Sequence, residues 1–129
     1  MGSEMCIRDR FRLACCAADR AMVVSTTDAS ALRDAQRTVS VLRNRIPRIH
    51  LVVNRVQPRL LRRLHTTIDD AMDAAGLPLL GIVPEDPQVM LCANQGQPLI
   101  LRASRGAAVA YLNIAKRLLG QKAPLMKIR

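Results

Sequence analysis

Aromatic residues barely occur: the 129-residue chain has Phe11, Tyr111 and no tryptophan. That argues against a single-strand nucleic-acid platform built by stacking bases on aromatic rings. It also leaves the core to Leu, Ile, Val, Ala and Met, a composition that suits helices packed on a parallel sheet better than a β-sandwich. No apolar run approaches the roughly 20 residues that a membrane-spanning helix needs. The four cysteines, Cys6, Cys15, Cys16 and Cys92, contain no Cys-x-x-Cys, and the neighbours Cys15 and Cys16 are poorly placed to bridge each other. His50 and His65 do not complete a zinc spacing, so reduced cytosolic thiols are the expectation. Neither GxxxxGK(S/T) nor GxGxxG is found, so the sequence contains no Gly-rich phosphate loop. No Ser/His/Asp or Cys/His arrangement for nucleophilic catalysis stands out.

What is there is positive charge, +10 in all and unevenly spread. Residues 43–63 hold seven arginines and no acid, residues 69–86 hold five acids and no base, and no acid follows Asp86. Two readings stay open: solvated arginine-rich helix faces, or a surface for an anionic partner such as nucleic acid or a membrane. Half of the residues are hydrophobic, which is too many for a disordered chain and enough for one domain with one core.

The pattern reads β-α-β-α-β-α-α. Residues 11–18 fit the end of a helix, with Leu13, Cys16 and Ala17 on one side. Residues 21–25 form a short strand, and Ser25-Thr26-Thr27-Asp28 offers turn and N-cap residues. A helix follows over about 29–45, its apolar stripe made by Leu32, Ala35, Val39, Leu42 and Ile46. Residues 49–54 form the next strand and 55–63 a basic loop with room for one helical turn. Thr67 with Asp70 has the form of a capping box, and Gly76 closes that helix. Leu79 to Val83 is uncharged and of strand length, which suits a strand buried on both faces. Pro84 and Pro87 then stop the strand and set up a helix over about 87–93. After the turn at 94–98, Ser104 is placed to cap a last helix, with Ala108, Tyr111, Ala115, Leu118 and Leu119 towards the core. Alternation with short connections implies right-handed crossovers and a parallel sheet.

Several polar residues have plain structural explanations. Asp69 and Asp70 are helix-starting acids before they are a catalytic pair. His50 is a packed strand histidine and Cys92 a helix-face thiol. The ends of two strands are more informative, because ligands of open α/β sheets sit beyond the carboxyl ends of parallel strands. Asn54 and Arg55 end one strand, and Pro84, Glu85 and Asp86 end the next. A carboxamide offers both a donor and an acceptor to a base edge, a guanidinium can stack on its face, and a backbone held open by Pro84 can reach the same base. Ordinary loop-starting polar residues explain the same spacing equally well.

These segments resemble, in order, the later part of the MinD septum-site-determining ATPases. The resemblance rests on 18-ADRAMVVST-26 with Ser30 and Leu32-Arg33-Asp34, on 50-HLVVNR-55, 79-LLGIVPED-86, 93-ANQGQP-98 and 115-AKRLLG-120. The ordered set points to the MinD/ParA group of deviant P-loop ATPases, and the PED and NQGQP elements favour the MinD side. It covers about residues 11–125. The resemblance implies the C-terminal half of a P-loop NTPase fold: three parallel strands of a doubly wound α/β sheet with flanking helices. It implies a cytoplasmic bacterial ATPase using ATP and magnesium, which dimerises on ATP and associates reversibly with the inner membrane surface. In the family it helps place the division site, together with a division inhibitor and a topological factor. By the same resemblance Asn54, Arg55, Pro84, Glu85 and Asp86 border the adenine pocket, while Ser30, Arg33 and Asp34 lie towards the dimer and partner surface. No catalytic or metal-binding residue is carried over.

The family's P-loop lysines, magnesium ligands and Walker B aspartate all fall before the matched part, so this chain alone is expected not to hydrolyse ATP or to hold a cofactor. Gln36 stands where many relatives carry an acid. Residues 1–10 resemble a translated sequencing-adaptor leader, 11–120 the C-terminal part of the nucleotide-binding domain, and 121–129 a basic tail too short for a firm membrane anchor. The strand at 21–25 is expected to be a free edge, where the family's P-loop strand lies. Two rivals stay open. One is a ParA-type partition or regulatory ATPase fragment that binds DNA through Arg59, Arg62 and Arg63. The other is a non-enzymatic module that binds a partner through the 29–45 helix.

Overall fold

A computed structural model describes residues 2–125, with residues 2–8 described as backbone alone. Three parallel strands form one open sheet in the order β1 (Arg20–Ser25), β2 (Arg48–Val56), β3 (Leu79–Pro84). The helices are α1 (Gly2–Ala17), α2 (Ala29–Leu42), α3 (Pro58–Arg63), α4 (Ile68–Ala75), α5 (Pro87–Asn94), α6 (Leu99–Arg102) and α7 (Ala107–Leu118).

The period-two alternation of β2 divides the core. Ile49, Leu51 and Val53 face α2 and α4, where they meet Ala35, Val39, Leu42, Ile46, Ala71 and Ala75. Val52 faces α7 and packs with Val83, Ala107, Ala110 and Ile114. The stripe expected on α2 is therefore the face it buries, with Leu32 packed at its edge. Gly81 lets α7 approach β3: a Cβ there would run into Ile114 Cγ1 and stand 2.7 Å from its Cδ1. Arg117 at the other end of α7 donates to Leu79 O on β3.

The local stops and starts follow the side chains. Asp28 caps α2, accepting from Ala31 N–H at 3.1 Å and from the Thr26 hydroxyl. These bonds, the Thr26 hydroxyl first and then the Ala31 N–H, hold its carboxyl below the usual range. The capping box of α4 is formed in both directions, Asp70 N–H to Thr67 Oγ1 at 3.1 Å and Thr67 N–H to Asp70 Oδ2 at 2.8 Å. The Thr67 N–H, then the Thr67 and Thr66 hydroxyls, lower the Asp70 pKa. Gly76 ends α4 with φ 69°, the left-handed conformation that an L side chain resists.

Several expectations shift. Helix α1 starts at Gly2, within the stretch read as a leader. Its inward residues are Phe11 and Cys15, while Leu13 and Cys16 are exposed. That register is set by β1 and α2, which the local pattern does not contain. The helical turn expected within the basic 55–63 stretch is α3, opened by Pro58, while β2 runs on to Val56. Residues 99–102 add the unforeseen turn α6. Helix α7 starts at Ala107 with Gly106, not Ser104, as its N-cap, and its buried face is Ala107, Ala110 and Ile114 with Ala108. Tyr111 and Leu119 point outward instead. β1 is a sheet edge among the described residues, with Met22 and Val24 exposed. β3 is the other edge, yet it is buried on both faces from Leu80 to Val83. The last residues of the basic tail, 126–129, lie outside the described part.

Candidate functional site

The carboxyl ends of β2 and β3 carry the candidate residues, and the pairing between them is irregular there. Val53 pairs with Ile82 and Val56 with Pro84, so Asn54 and Arg55 together oppose one residue of β3. This is a bulge, a device that bends a strand and re-aims its side chains. Arg55 sits in it at φ 55°, a conformation uncommon for a residue with a side chain. Asn54 Oδ1 accepts the Arg55 N–H at 2.9 Å. That bond supports the turn and orients the carboxamide, leaving its NH2 group as the end not engaged by it.

Arg55 Nε donates to Glu85 Oε2 at 2.9 Å, an ion pair between the ends of the two strands. The Arg55 side chain is largely exposed and that of Glu85 a little over a third exposed, so the pair contributes about 0–1 kcal/mol to stability and acts mainly on geometry. The Glu85 N–H donates to Val56 O at 3.0 Å. Pro84, lacking an N–H, ends the ladder beside it.

Asp86 is the N-cap of α5, and its Oδ1 accepts the Gln88 N–H at 3.0 Å. Its other oxygen accepts the Ala107 N–H, also at 3.0 Å, at the start of α7. Ser104 was the expected cap of α7. Gly106 occupies that position without a side chain, and Asp86 supplies the acceptor from a distant segment.

All five rim residues line one cleft of about 700 Å³, whose other wall is Val89, Met90 and Leu91 of α5 with Tyr111 of α7. It combines an apolar floor with a few polar groups, the make-up of a small-molecule site. Tyr111 is the residue that the sequence reading placed elsewhere. No local signal separates it from the buried stripe of Ala107, Ala110 and Ile114; packing on β3 decides which part of α7 is covered. Ser30, Arg33 and Asp34 do not reach this cleft; they are exposed on α2. Asp34 stands 3.9 Å from Arg37 and lines a second groove, of about 720 Å³, along β1. Asn54 borders both cavities. Among the described residues no group of three or more His, Cys, Asp and Glu is placed to hold a metal ion. No described helix is long and apolar enough to cross a membrane.

No family model matches the chain. Curated relatives do. The chain is 38% identical over 122 residues to the septum site-determining protein MinD of Bacillus subtilis, covering 92% of this chain and 46% of that protein. It is 35% identical over 119 residues to MinD of Synechocystis, covering 90% and 45%. Among solved structures, the MinD cell division protein of Aquifex aeolicus superposes with a TM-score of 0.85 at 29% identity, over 91% of this chain and 50% of that one. The MinC:MinD complex of the same organism gives the same score over 92% and 50%. The chain thus spans about half the length of the relatives it matches.

Proposed function

We propose, from the premise that this chain belongs to the MinD/ParA family of P-loop ATPases, that it forms the base-side wall of the ATP site in a MinD-like protein of division-site placement. The observation that carries the reading is the convergence of the rim. A bulge, a proline and two helix starts bring Asn54, Arg55, Pro84, Glu85 and Asp86 to one cleft at the carboxyl ends of parallel strands. The residues fit a purine base. Asn54 offers its NH2 group, and Tyr111 and the α5 side chains offer aromatic and apolar surface.

Nothing of comparable fit serves the phosphates or magnesium. The sequence carries no Gly-rich phosphate loop, and the described residues offer no carboxylate cluster for a cation. The phosphate machinery of the family belongs to segments that this chain does not match. When bound, ATP with its magnesium would supply the phosphoryl chemistry, and these residues would hold and orient the base end. The chain by itself is proposed to bind the base and not to turn ATP over.

The MinC:MinD complex among its neighbours supports a partner of the division-inhibitor type. The exposed α2 surface around Ser30, Arg33 and Asp34 is the proposed contact, and it lies apart from the cleft. Homodimerisation, a topological factor and reversible contact with the inner membrane are proposed for the full-length protein on the same family premise.

The test is a titration of the isotope-labelled chain with adenosine. Shifts confined to the amides of residues 54–56, 85, 86 and 88–91 and to the Tyr111 ring support the reading, with Asn54→Ala weakening binding about tenfold, the ~1.4 kcal/mol expected of a lost hydrogen bond. Absence of shifts at the rim, or shifts of equal size along α2, refutes it.

A further inference from the structure

The two oxygens of Asp86 serve two different helices. One accepts from Gln88 N–H in the first turn of α5, the other from Ala107 N–H in the first turn of α7. The first N–H groups of a helix have no partner within it, so each bond satisfies an otherwise unpaired donor. The site is also close-fitting. Gly106, at φ 62°, stands so near that an added Cβ would lie 2.5 Å from Asp86 Oδ2. No acid occurs between residues 87 and 129, so α7 has no carboxylate of its own for its positive end.

The geometry has a consequence for the cleft. Helix α5 supplies Val89, Met90 and Leu91 to one wall, and α7 supplies Tyr111 to another. Ala107, whose N–H Asp86 holds, lies four residues before Tyr111, so the two stack on one side of α7. We infer that Asp86 is a positioning residue which sets both walls of the base cleft, holding α5 and Tyr111 in register with the bulge at Asn54. This rests on the base-binding reading of the cleft. It assigns Asp86 no contact with the base, since both of its oxygens are engaged by helix N–H groups.

The substitutions separate the two bonds. Asp86→Asn keeps one carbonyl oxygen, so it can cap one helix and not both. Asp86→Ala caps neither. Thr67→Ala removes a cap of the same kind from α4, remote from the cleft, and serves as a control for general destabilisation.

Amide exchange of Gln88 and Ala107 and the Tyr111 ring signals are measured in the full chain, without ligand and during adenosine titration. With a single tyrosine in the chain, the tyrosine ring signals have one source. The expected result is loss of protection at both amides in Asp86→Ala and at one in Asp86→Asn. Adenosine affinity falls roughly five- to tenfold in Asp86→Ala, with a reduced Tyr111 response, as for a lost cap felt at the site. Thr67→Ala changes neither. Unchanged protection at both amides in Asp86→Ala, or an equal change in Thr67→Ala, overturns the inference. So does wild-type adenosine affinity in Asp86→Ala with both amides deprotected. If Asp86→Ala fails to fold, Asp86→Asn decides by the same criteria. A wild-type chain that ignores adenosine refutes base binding, and the positioning role then stands or falls on the ligand-free exchange and Tyr111 ring shifts.

Discussion

Replacing Gly81 with alanine should loosen the contact between β3 and α7, and the loss should depend on one atom of Ile114. The backbone at Gly81 is not in the left-handed region. Alanine there gains about 0.4–1 kcal/mol by restricting the unfolded chain. Against this stands the collision of the new Cβ with Ile114 Cγ1, with Cδ1 at 2.7 Å and Cβ at 3.7 Å. Cγ1 is the branch next to the backbone, so a rotation of the side-chain tip does not clear it. The helix must move, and it is tied to β3 by Arg117. Overpacking of this kind costs about 1–3 kcal/mol, which leaves a net loss of about 1–2 kcal/mol. Urea unfolding followed by circular dichroism measures it. Ile114→Val keeps the Cγ1 position and should not rescue Gly81→Ala. Ile114→Ala keeps Cβ alone, at an ordinary contact distance, and should make the alanine at 81 neutral or slightly stabilising. The coupling between 81 and 114 is then about 2 kcal/mol. A Gly81→Ala loss below about 0.5 kcal/mol, or the same loss in both Ile114 backgrounds, would refute the close-packing account.

Acid should strip two helix caps. The Asp28 and Asp70 carboxyls lie below their usual values in the fold, so their contribution is complete above the unfolded pKa near 4. It is lost as pH falls through the lower folded values. Thr67→Ala should flatten the stability profile between about pH 5 and pH 2, and a profile parallel to that of the wild type would count against the cap. Arg55→Gly should change stability by less than about 1 kcal/mol, because relief of the positive φ offsets glycine's entropy and an exposed ion pair. Its adenosine affinity should nevertheless fall, and unchanged affinity would show that the Arg55 side chain contributes nothing to the site.

The parts of this fold legible in the sequence are those fixed within a few residues. Thr67, Asp70 and Gly76 announce the start and stop of α4 by local chemistry, and the structure forms all three features. The stripe from Leu32 to Ile46 and the run from Leu79 to Val83 are equally local, and both are buried apart from their first residues, Leu32 and Leu79, which are half-buried. The rim could be located as well, since strand ends follow from strands. What escaped depends on contacts distant in the chain. Ser104 looks like a cap because serine often is one, but the acceptor that starts α7 is Asp86, reached through space. Tyr111, expected towards the core, lines the cleft instead, because the face that α7 buries is decided by its packing on β3. The bulge at Asn54 and Arg55 is likewise invisible in β2 alone, being a mismatch between two strands.

The shared cap also has a direction in time. Asp86 precedes Ala107 by 21 residues, which a ribosome adds in about 1–4 s at 5–20 residues per second. Strand β3 and its carboxylate therefore leave the ribosome before the helix that needs them. When the first turn of α7 emerges, its acceptor is already outside the ribosome, ahead of it in the chain. A rearranged gene encoding α7 ahead of β3 would present that helix without a start signal until the sheet caught up.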